Sequence, residues 1–288
     1  MKILIFTKKE TQFIKKRLVD EARERNHQIT LASYEELRFR IGDKFGIFTS
    51  DQELGDDYDA VILRIAPSGV MVYYKDLLAR SLGQKNFVVN GESFVKWPYL
   101  GKITQNFLLA QAGLPIIQSQ IFARRKELLA SDFEFPLVAK KHFGKLGNSV
   151  FKAQSKSELA EILGGQTPEF LIQPFLATGE DYRVIVLGGK ALPKVMKKVA
   201  PEGQLATNIS RGGIAVAEEI SDELKALSEN AAEVFKVDYA GIDIMYDTNG
   251  KPHILEINRS ANFSGFEDAT GINVAKLTIE MIEKKVNG

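Results

Sequence analysis

Apolar residues fill Met1–Thr7, and the charged stretch that follows places Phe13, Leu18 and Ala22 at helical spacing before a stop near Asn26. A strand followed by a helix is the predicted opening. A second apolar run at Tyr58–Ile65, a helical stretch at Val72–Leu82 and a third run at Asn86–Asn90 continue the alternation. That pattern predicts a small open α/β sheet with covering helices, and a first domain over residues 1–97. From Gly101 the pattern changes to a helix at Lys102–Ala112, a Gly-Leu-Pro stop at 113–115, strands at Ile116–Ala123 and Phe135–Lys141, a glycine-bearing turn, and a strand at Val150–Ala153. Strands at Phe170–Phe175, Arg183–Leu187 and Ala191–Val199, a polar loop through Gly213, a helix at Asp222–Phe235 and a last hairpin complete the second part, which reads as α+β lobes.

The last hairpin, residues 240–258, carries candidate chemistry. Asn249-Gly250 is a strong type I′ turn signal, and it predicts that residues whose numbers sum to 499 lie opposite one another. Ile242 then faces Ile257, Ile244 faces Leu255, and Asp243 faces Glu256. One face is apolar, while the other holds two carboxylates within cross-strand reach and the Asn258 carboxamide two residues along. Such a pair is either a solvated acidic face or a divalent-cation site. An all-oxygen set of Asp243, Glu256 and Asn258 is the ligand chemistry of Mg²⁺ or Mn²⁺, which is the expectation taken here.

Composition narrows the partners. Lys and Arg number 38 against 37 Asp and Glu in 288 residues, a net charge of +1, so nothing predicts a nucleic-acid or membrane-surface binder. Cysteine is absent, which excludes disulfides, thiolate nucleophiles and thiolate metal sites, and makes the cytoplasm the expected compartment. No stretch reaches the roughly 18 apolar residues of a membrane span. The turn after Ile5 has no glycine fingerprint, no G-x-x-x-x-G-K-[ST] or G-x-S-x-G occurs, and His27, His142 and His253 have no ligand spacing and receive no role.

A cation held by few protein oxygens usually carries substrate phosphates, so basic groups at strand and helix ends matter. Lys140 ends a strand just before the turn 144–149, and is either a solvated side chain or a phosphate ligand. Lys102 begins a helix, where a cation opposes the helix dipole and needs an anionic neighbour. Arg211 precedes Gly212-Gly213, as a plain surface turn or as a guanidinium aimed at a phosphoryl group or oxyanion.

The order of these segments is itself informative: Lys102 before a helix, Pro136-Leu-Val-Ala-Lys140, Leu171-Ile-Gln-Pro-Phe-Leu176, Asp181-Tyr-Arg183, Asn208 to Arg211-Gly-Gly213, Ala240-Gly-Ile-Asp243, Leu255-Glu-Ile-Asn258 and Thr270-Gly-Ile-Asn273. Over about residues 100–288 this resembles the ATP-grasp superfamily, and within it the RimK-like α-L-glutamate ligases, with an N-terminal part that looks like a pre-grasp domain. The resemblance implies an ATP-grasp domain at 98–288, with a small lobe over about 98–175 and a large lobe over about 176–288. It implies that Lys102 and Lys140 contact ATP phosphates, that Gln173, Pro174 and Phe175 lie at adenine, and that Asp181 lies at the ribose. It further implies Asn208 near the phosphates, Arg211 at the transferred phosphoryl group, and Asp243, Glu256 and Asn258 around two Mg²⁺ or Mn²⁺ ions.

The activity so implied joins a carboxylate acceptor, activated as an acylphosphate, to the amine of an amino acid, glutamate above all. The acceptor is a protein C-terminus, a coenzyme or a small peptide, and a homo-oligomer is expected. A ligase of the lysine-biosynthesis type acting on an amino-group carrier protein, and a non-catalytic ATP-binding regulatory module, are the rival readings. Three positions depart from the resembled pattern: Pro174 where Glu is common, Ala206 where Arg is common, and Arg259-Ser-Ala-Asn262 in place of Asn-x-Ser-Pro-Gly.

Overall fold

In a computed structural model of residues 1–288, the residues described are all but 9–11, 51, 56, 65–72, 144–148, 165–168 and 201–213, and the Gln12 side chain. The first part of the chain runs β1 (Lys2–Thr7), α1 (Gln12–Glu24), β2 (Gln28–Ser33), β3 (Leu37–Arg40), β4 (Gly46–Thr49), β5 (Gln52–Glu53), β6 (Ala60–Leu63), α2 (Tyr73–Leu82), β7 (Phe87–Val89) and α3 (Gly91–Lys96). A parallel sheet of order β2-β1-β6-β7 forms its centre, with β3, β4 and β5 as a separate antiparallel sheet. The period of two along β1 explains why it is buried on both sides. Ile3 and Ile5 join one core with Ile14 and Leu18 of α1, while Leu4 and Phe6 join another with Tyr34, Leu78 and Leu82. The apolar runs at residues 1–7, 58–65 and 86–90 thus all become strands. The edge strand β2 was not legible, because its first four residues are exposed or half-exposed and show no apolar alternation.

The small lobe contains α4 (Lys102–Gln111), β8 (Gln120–Ile121), α5 (Arg125–Ala130), β9 (Leu137–Lys141), β10 (Val150–Ala153), α6 (Lys156–Leu163) and β11 (Phe170–Pro174). Its sheet, β10-β9-β11-β8, is antiparallel and packs Leu137, Ala139, Phe170 and Ile172 against Leu128, Leu159 and Leu163 of its helices. The strand predicted at Ile116–Ala123 shortens to two residues, plus a single bridge from Ile116 to Ile254.

The large lobe follows as β12 (Glu180–Leu187), β13 (Lys190–Ala191), β14 (Lys194–Val199), β15 (Ile214–Glu219), α7 (Asp222–Val234), β16 (Tyr239–Tyr246), β17 (Pro252–Asn258), α8 (Ser264–Thr270) and α9 (Val274–Asn287). Its strands lie in the order β15-β14-β12-β16-β17, with β13 beside β12. One face buries Val184, Ile242, Ile244 and Ile257 against Leu224, Leu227 and Ala231 of α7. The other buries Ile185 and Met196 against Phe266 and Ile279, in the same cluster as Ile3, Ile5, Ile14 and Leu18. The N-terminal sheet and the large lobe therefore share one apolar core, with α1 packed on α9. No helix among the described residues is long and apolar enough to cross a membrane.

The hairpin register is confirmed at the site and corrected toward the tip. Ile242 faces Ile257 and Asp243 faces Glu256, but Ile244 faces Ile254 instead of Leu255. At the tip, Asp247 N–H donates to Lys251 O at 2.9 Å and Gly250 N–H to Asp247 O at 3.0 Å. Gly250 has φ +76° and is the one left-handed residue of this turn, so a type I turn closed by a left-handed glycine replaces the predicted type I′ turn. The Asp247 carboxylate selects it, accepting from the Asn249 and Lys251 N–H groups at 2.9 Å each. The resulting one-residue offset is cancelled by a bulge between Asp243 and Ile244 that absorbs Leu255, which keeps Ile244, Ile254 and Ile257 in the core and the carboxylates opposed.

Candidate active site

Strand β9 delivers Lys140 and the start of α4 delivers Lys102 to the same region. The helix begins at Gly101 without a side-chain cap. Instead His142, just past β9, closes it: its carbonyl accepts from Lys102 N–H at 3.0 Å and its Nδ1 from Ile103 N–H at 3.2 Å. That role needs an unprotonated Nδ1, and burial, opposed by the charge of Glu169 and reinforced by Lys102, holds the imidazole pKa below its usual value. Gly101 is required for the fit, since a Cβ there would lie 2.4 Å from the His142 ring. Gly101→Ala is expected to destabilise the protein by about 1–3 kcal/mol, as overpacking does, and His142→Ala in the same chain should recover part of that loss; denaturant melts of the single and double variants test it.

The anion that Lys102 needs is Glu256, whose Oε2 lies 3.2 Å from its Nζ. Glu256 in turn faces Asp243, and Asp243 faces Arg183 across β12. The Arg183 guanidinium grips Asp243 with two bonds, Nε to Oδ1 at 2.8 Å and Nη2 to Oδ2 at 2.6 Å. Lys198, buried on β14, reaches Asp243 Oδ1 at 3.3 Å and pairs with Asp181. Strand alternation puts Asp181 and Arg183 on one face of β12, so a single sheet face carries Asp181, Arg183, Lys198, Asp243 and Glu256. Burial alone would raise the Asp243 pKa, but the Arg183 charge, then Lys198 and their hydrogen bonds, hold it well below the ordinary carboxylate range. Lys140 is pushed down to about 8, chiefly by burial, with Lys102 lowering it further and Glu256 and Asp181 opposing.

Two family models match this chain: a RimK-like ATP-grasp domain over residues 101–282 and a RimK pre-ATP-grasp domain over residues 1–92. The chain belongs to the RimK-like ATP-grasp family. It is thereby an ATP-dependent ligase. A probable alpha-L-glutamate ligase of Psychromonas ingrahamii is 28% identical over 294 residues, covering 99% of this chain and 96% of that protein. One of Aliivibrio fischeri is 29% identical over 293 residues with the same coverage. Among solved structures, the ATP-grasp ligase PsnB complexed with a minimal precursor, Mg and ADP superposes with a TM-score of 0.74 at 20% identity, over 99% of this chain and 97% of that one. The macrocyclase MdnC of Microcystis aeruginosa, bound to its precursor peptide MdnA, gives 0.72 at 16% identity, over 99% and 100%.

In this RimK-like ligase the sequence-derived residues are partly brought together. Lys102, Lys140, Asp181, Asp243 and Glu256 belong to one charged cluster, and Asn258 sits at the end of β17, two residues along from Glu256. Gln173 is buried. Its side chain lies inside the small lobe, where Nε2 donates to Ser119 Oγ at 2.8 Å and Asn106 Oδ1 at 3.4 Å, while Oε1 has no hydrogen-bond partner among the described residues. Pro174 is exposed and Phe175 half-buried. The Phe175 N–H donates to Pro136 O at 3.1 Å. Asn208, Arg211 and Ala206, and all of the turn 144–149 but Ser149, lie outside the described residues.

Arg183 and Lys198 were missed as site residues, although period-two alternation from Asp181 along β12 and its pairing with β14 gives the signal. The donor set fits a hard divalent cation. Among the described residues no three His, Cys, Asp or Glu side chains cluster, so two carboxylates and a carboxamide would leave coordination positions for substrate oxygens. Asp243 already accepts from two cations, and a carboxylate has about four lone-pair sites, so a metal would share or exchange those contacts.

Proposed function

We propose that this ligase joins an amino acid, L-glutamate foremost, to an acceptor carboxylate at the expense of ATP, with Mg²⁺ or Mn²⁺ held by Asp243, Glu256 and Asn258. The observation that carries this reading is the facing pair Asp243 and Glu256, flanked by Lys102 and by the depressed Lys140 amine. The glutamate-ligase names of its relatives support the amino acid, and the Mg, ADP and precursor peptide bound to PsnB support the cation, the nucleotide and a peptide carboxylate as acceptor. We place the domain boundary at 97/98, between the edges of the two family matches, and the lobe boundary at 175/176, next to the end of β11.

An acceptor carboxylate oxygen attacks the γ-phosphorus of ATP, the bond to the β-phosphate oxygen breaks, and ADP leaves. The amine nitrogen then attacks the acyl carbon, inorganic phosphate leaves, and the amine gives up a proton as the amide forms. Bound divalent cations neutralise phosphate charge during the first transfer. Lys140 and Lys102 hold phosphate oxygens, Arg211 faces the transferred group, and Arg183 keeps Asp243 ionised and oriented. The Phe175 carbonyl accepts from adenine, Asp181 lies toward the ribose, and Asn208 toward the phosphates.

The test is ADP release by the purified chain with ATP and Mg²⁺, screened across amino acids with and without carboxylate acceptors, and mass spectrometry of the mixtures. Glutamate-dependent release with a product heavier by one glutamyl residue is expected. Release dependent on another amino acid overturns the substrate, and tight nucleotide binding without release under every condition overturns turnover.

A further inference from the structure

The two strands that bear Asp243, Glu256 and Asn258 stop pairing after Gly241 and Asn258; beyond that point the Tyr239 hydroxyl donates to Ala261 O at 2.8 Å, and side chains of the pre-grasp domain supply further bonds. Asn90 stands between β7 and α3 in the left-handed conformation, φ 60° and ψ 20°; its carbonyl accepts from Phe94 N–H at 2.9 Å, but its side chain makes no cap bond to α3. Its fully buried carboxamide crosses to the large lobe instead. Oδ1 accepts from the N–H groups of Asp238 at 2.6 Å and Tyr239 at 2.9 Å, while Nδ2 donates to Tyr239 O at 2.7 Å and Arg259 O at 3.0 Å. One side chain thus takes the place of the next rung of the β16–β17 ladder.

The segment after β17 is then fixed residue by residue. Arg259 Nη1 donates to Ser93 O at 2.7 Å, and its guanidinium lies 4.6 Å from the centre of the Phe94 ring. Lys75 Nζ donates to Ser260 Oγ at 2.7 Å, and Arg64 Nη2 to Ala261 O at 2.7 Å. Ala261 is buried against β16, where a Cβ on Gly241 would lie 2.6 Å from its methyl group. The Ser260 N–H donates to Asn258 Oδ1 at 3.1 Å, so the held segment orients the carboxamide directly.

We infer that Asn90 and Arg259 are positioning residues for the cation site: the pre-grasp domain sets the spread of β16 and β17 and the orientation of Asn258. Residues 259–261, within the segment where this chain departs from the resembled pattern, are held by pre-grasp side chains at a place separate from the α1–α9 contact. The inference rests on the metal reading of Asp243, Glu256 and Asn258.

Asn90→Gly removes the carboxamide at a φ that glycine adopts without strain. Arg259→Met removes the donor, and Arg259→Lys restores a cation on a similar stem. For each variant that keeps its circular dichroism spectrum, Mn²⁺ binding in the presence of a non-hydrolysable ATP analogue is titrated by electron paramagnetic resonance. The Mg²⁺ midpoint for ADP release is measured alongside. Groups that orient metal ligands are worth about tenfold or more in metal affinity, so Asn90→Gly and Arg259→Met should raise both midpoints about tenfold. Turnover at saturating metal should stay unchanged, and Arg259→Lys should return most of the loss. Unchanged midpoints in the folded variants, or a smaller active fraction at an unchanged midpoint, overturn the inference. No Mn²⁺ binding by the unmodified chain with the analogue removes the metal reading itself, and this inference with it.

Discussion

Asp243→Asn is expected to lower ADP release by about a thousandfold and to cost stability as well, because the carboxylate that accepts from two buried side-chain cations is also the proposed ligand of the divalent cation. Loss of one Lewis-acid contact worth several kcal/mol, at 1.36 kcal/mol per factor of ten, gives the kinetic figure. The stability figure follows from leaving Arg183 and Lys198 without their shared anion, which for a buried pair costs about 3–5 kcal/mol. The amide retains volume and one acceptor, so the low end of that range is expected. The pH dependence has a definite sign. A carboxyl whose folded pKa is depressed contributes stability fully above its unfolded value of about 4 and loses it as pH falls toward the folded value. The stability gap between the unmodified chain and the Asp243→Asn variant, measured by urea melts, should therefore be full at pH 7 and shrink below about pH 4. A gap that is constant from about pH 7 to about pH 3 would sink the ion-pair account, and unchanged Mg²⁺-dependent turnover would sink the metal account.

Lys140 gives the second large effect. Removing a donor aimed at transition-state charge costs about 10²–10³ in rate, so with Lys140 in its proposed role at the ATP phosphates, Lys140→Met should lose that much in kcat/KM for ATP. The amine pKa of about 8 adds a pH signature. The profile of kcat/KM reports ionisations of the free enzyme, so it should fall above about pH 8 as the ammonium loses its proton. Lys140→Arg should carry whatever activity it keeps without that fall, since a guanidinium stays charged to about pH 12 and beyond. Stability runs the other way. The unfolded amine titrates near about 10.4, so the cost of burying the charge is present in full below about pH 8 and vanishes between there and about 10.4. Relative to Lys140→Met, the unmodified chain should gain stability across that window. A fall in kcat/KM that persists in Lys140→Arg would assign the ionisation to another group.

Much of this architecture is legible in the sequence for simple reasons. Apolar runs long enough to bury both faces of a strand announced β1, β6 and β9, and Val150–Ala153 emerged as β10 with the predicted bounds. The pairing of Asp243 with Glu256 followed from a short hairpin whose faces must stay in register with a core. Its tip was misread because two-residue and three-residue turns share the Asn-Gly signal. What selected between them was the Asp247 carboxylate accepting from two backbone N–H groups. Edge strand β2 and the short strands β3 and β5 stayed hidden, since exposed or half-exposed strands need no apolar alternation, and β4 because its buried run is only Gly46, Ile47 and Phe48.

The sequence by itself determined the kinds of groups available, their order, and the local spacing that puts Asp243, Glu256 and Asn258 on one face, because these depend on contacts within a hairpin. Tertiary structure alone decided that Arg183 and Lys198 surround Asp243, that Lys102 meets Glu256, and that His142 closes α4. It also turned Gln173 into the lobe interior and set Asn90 across the domain boundary, 148 residues from Asp238. Charge partners and hydrogen bonds between distant segments follow from how sheets and helices pack; alternation along a strand such as β12 gives only which of its side chains share a face.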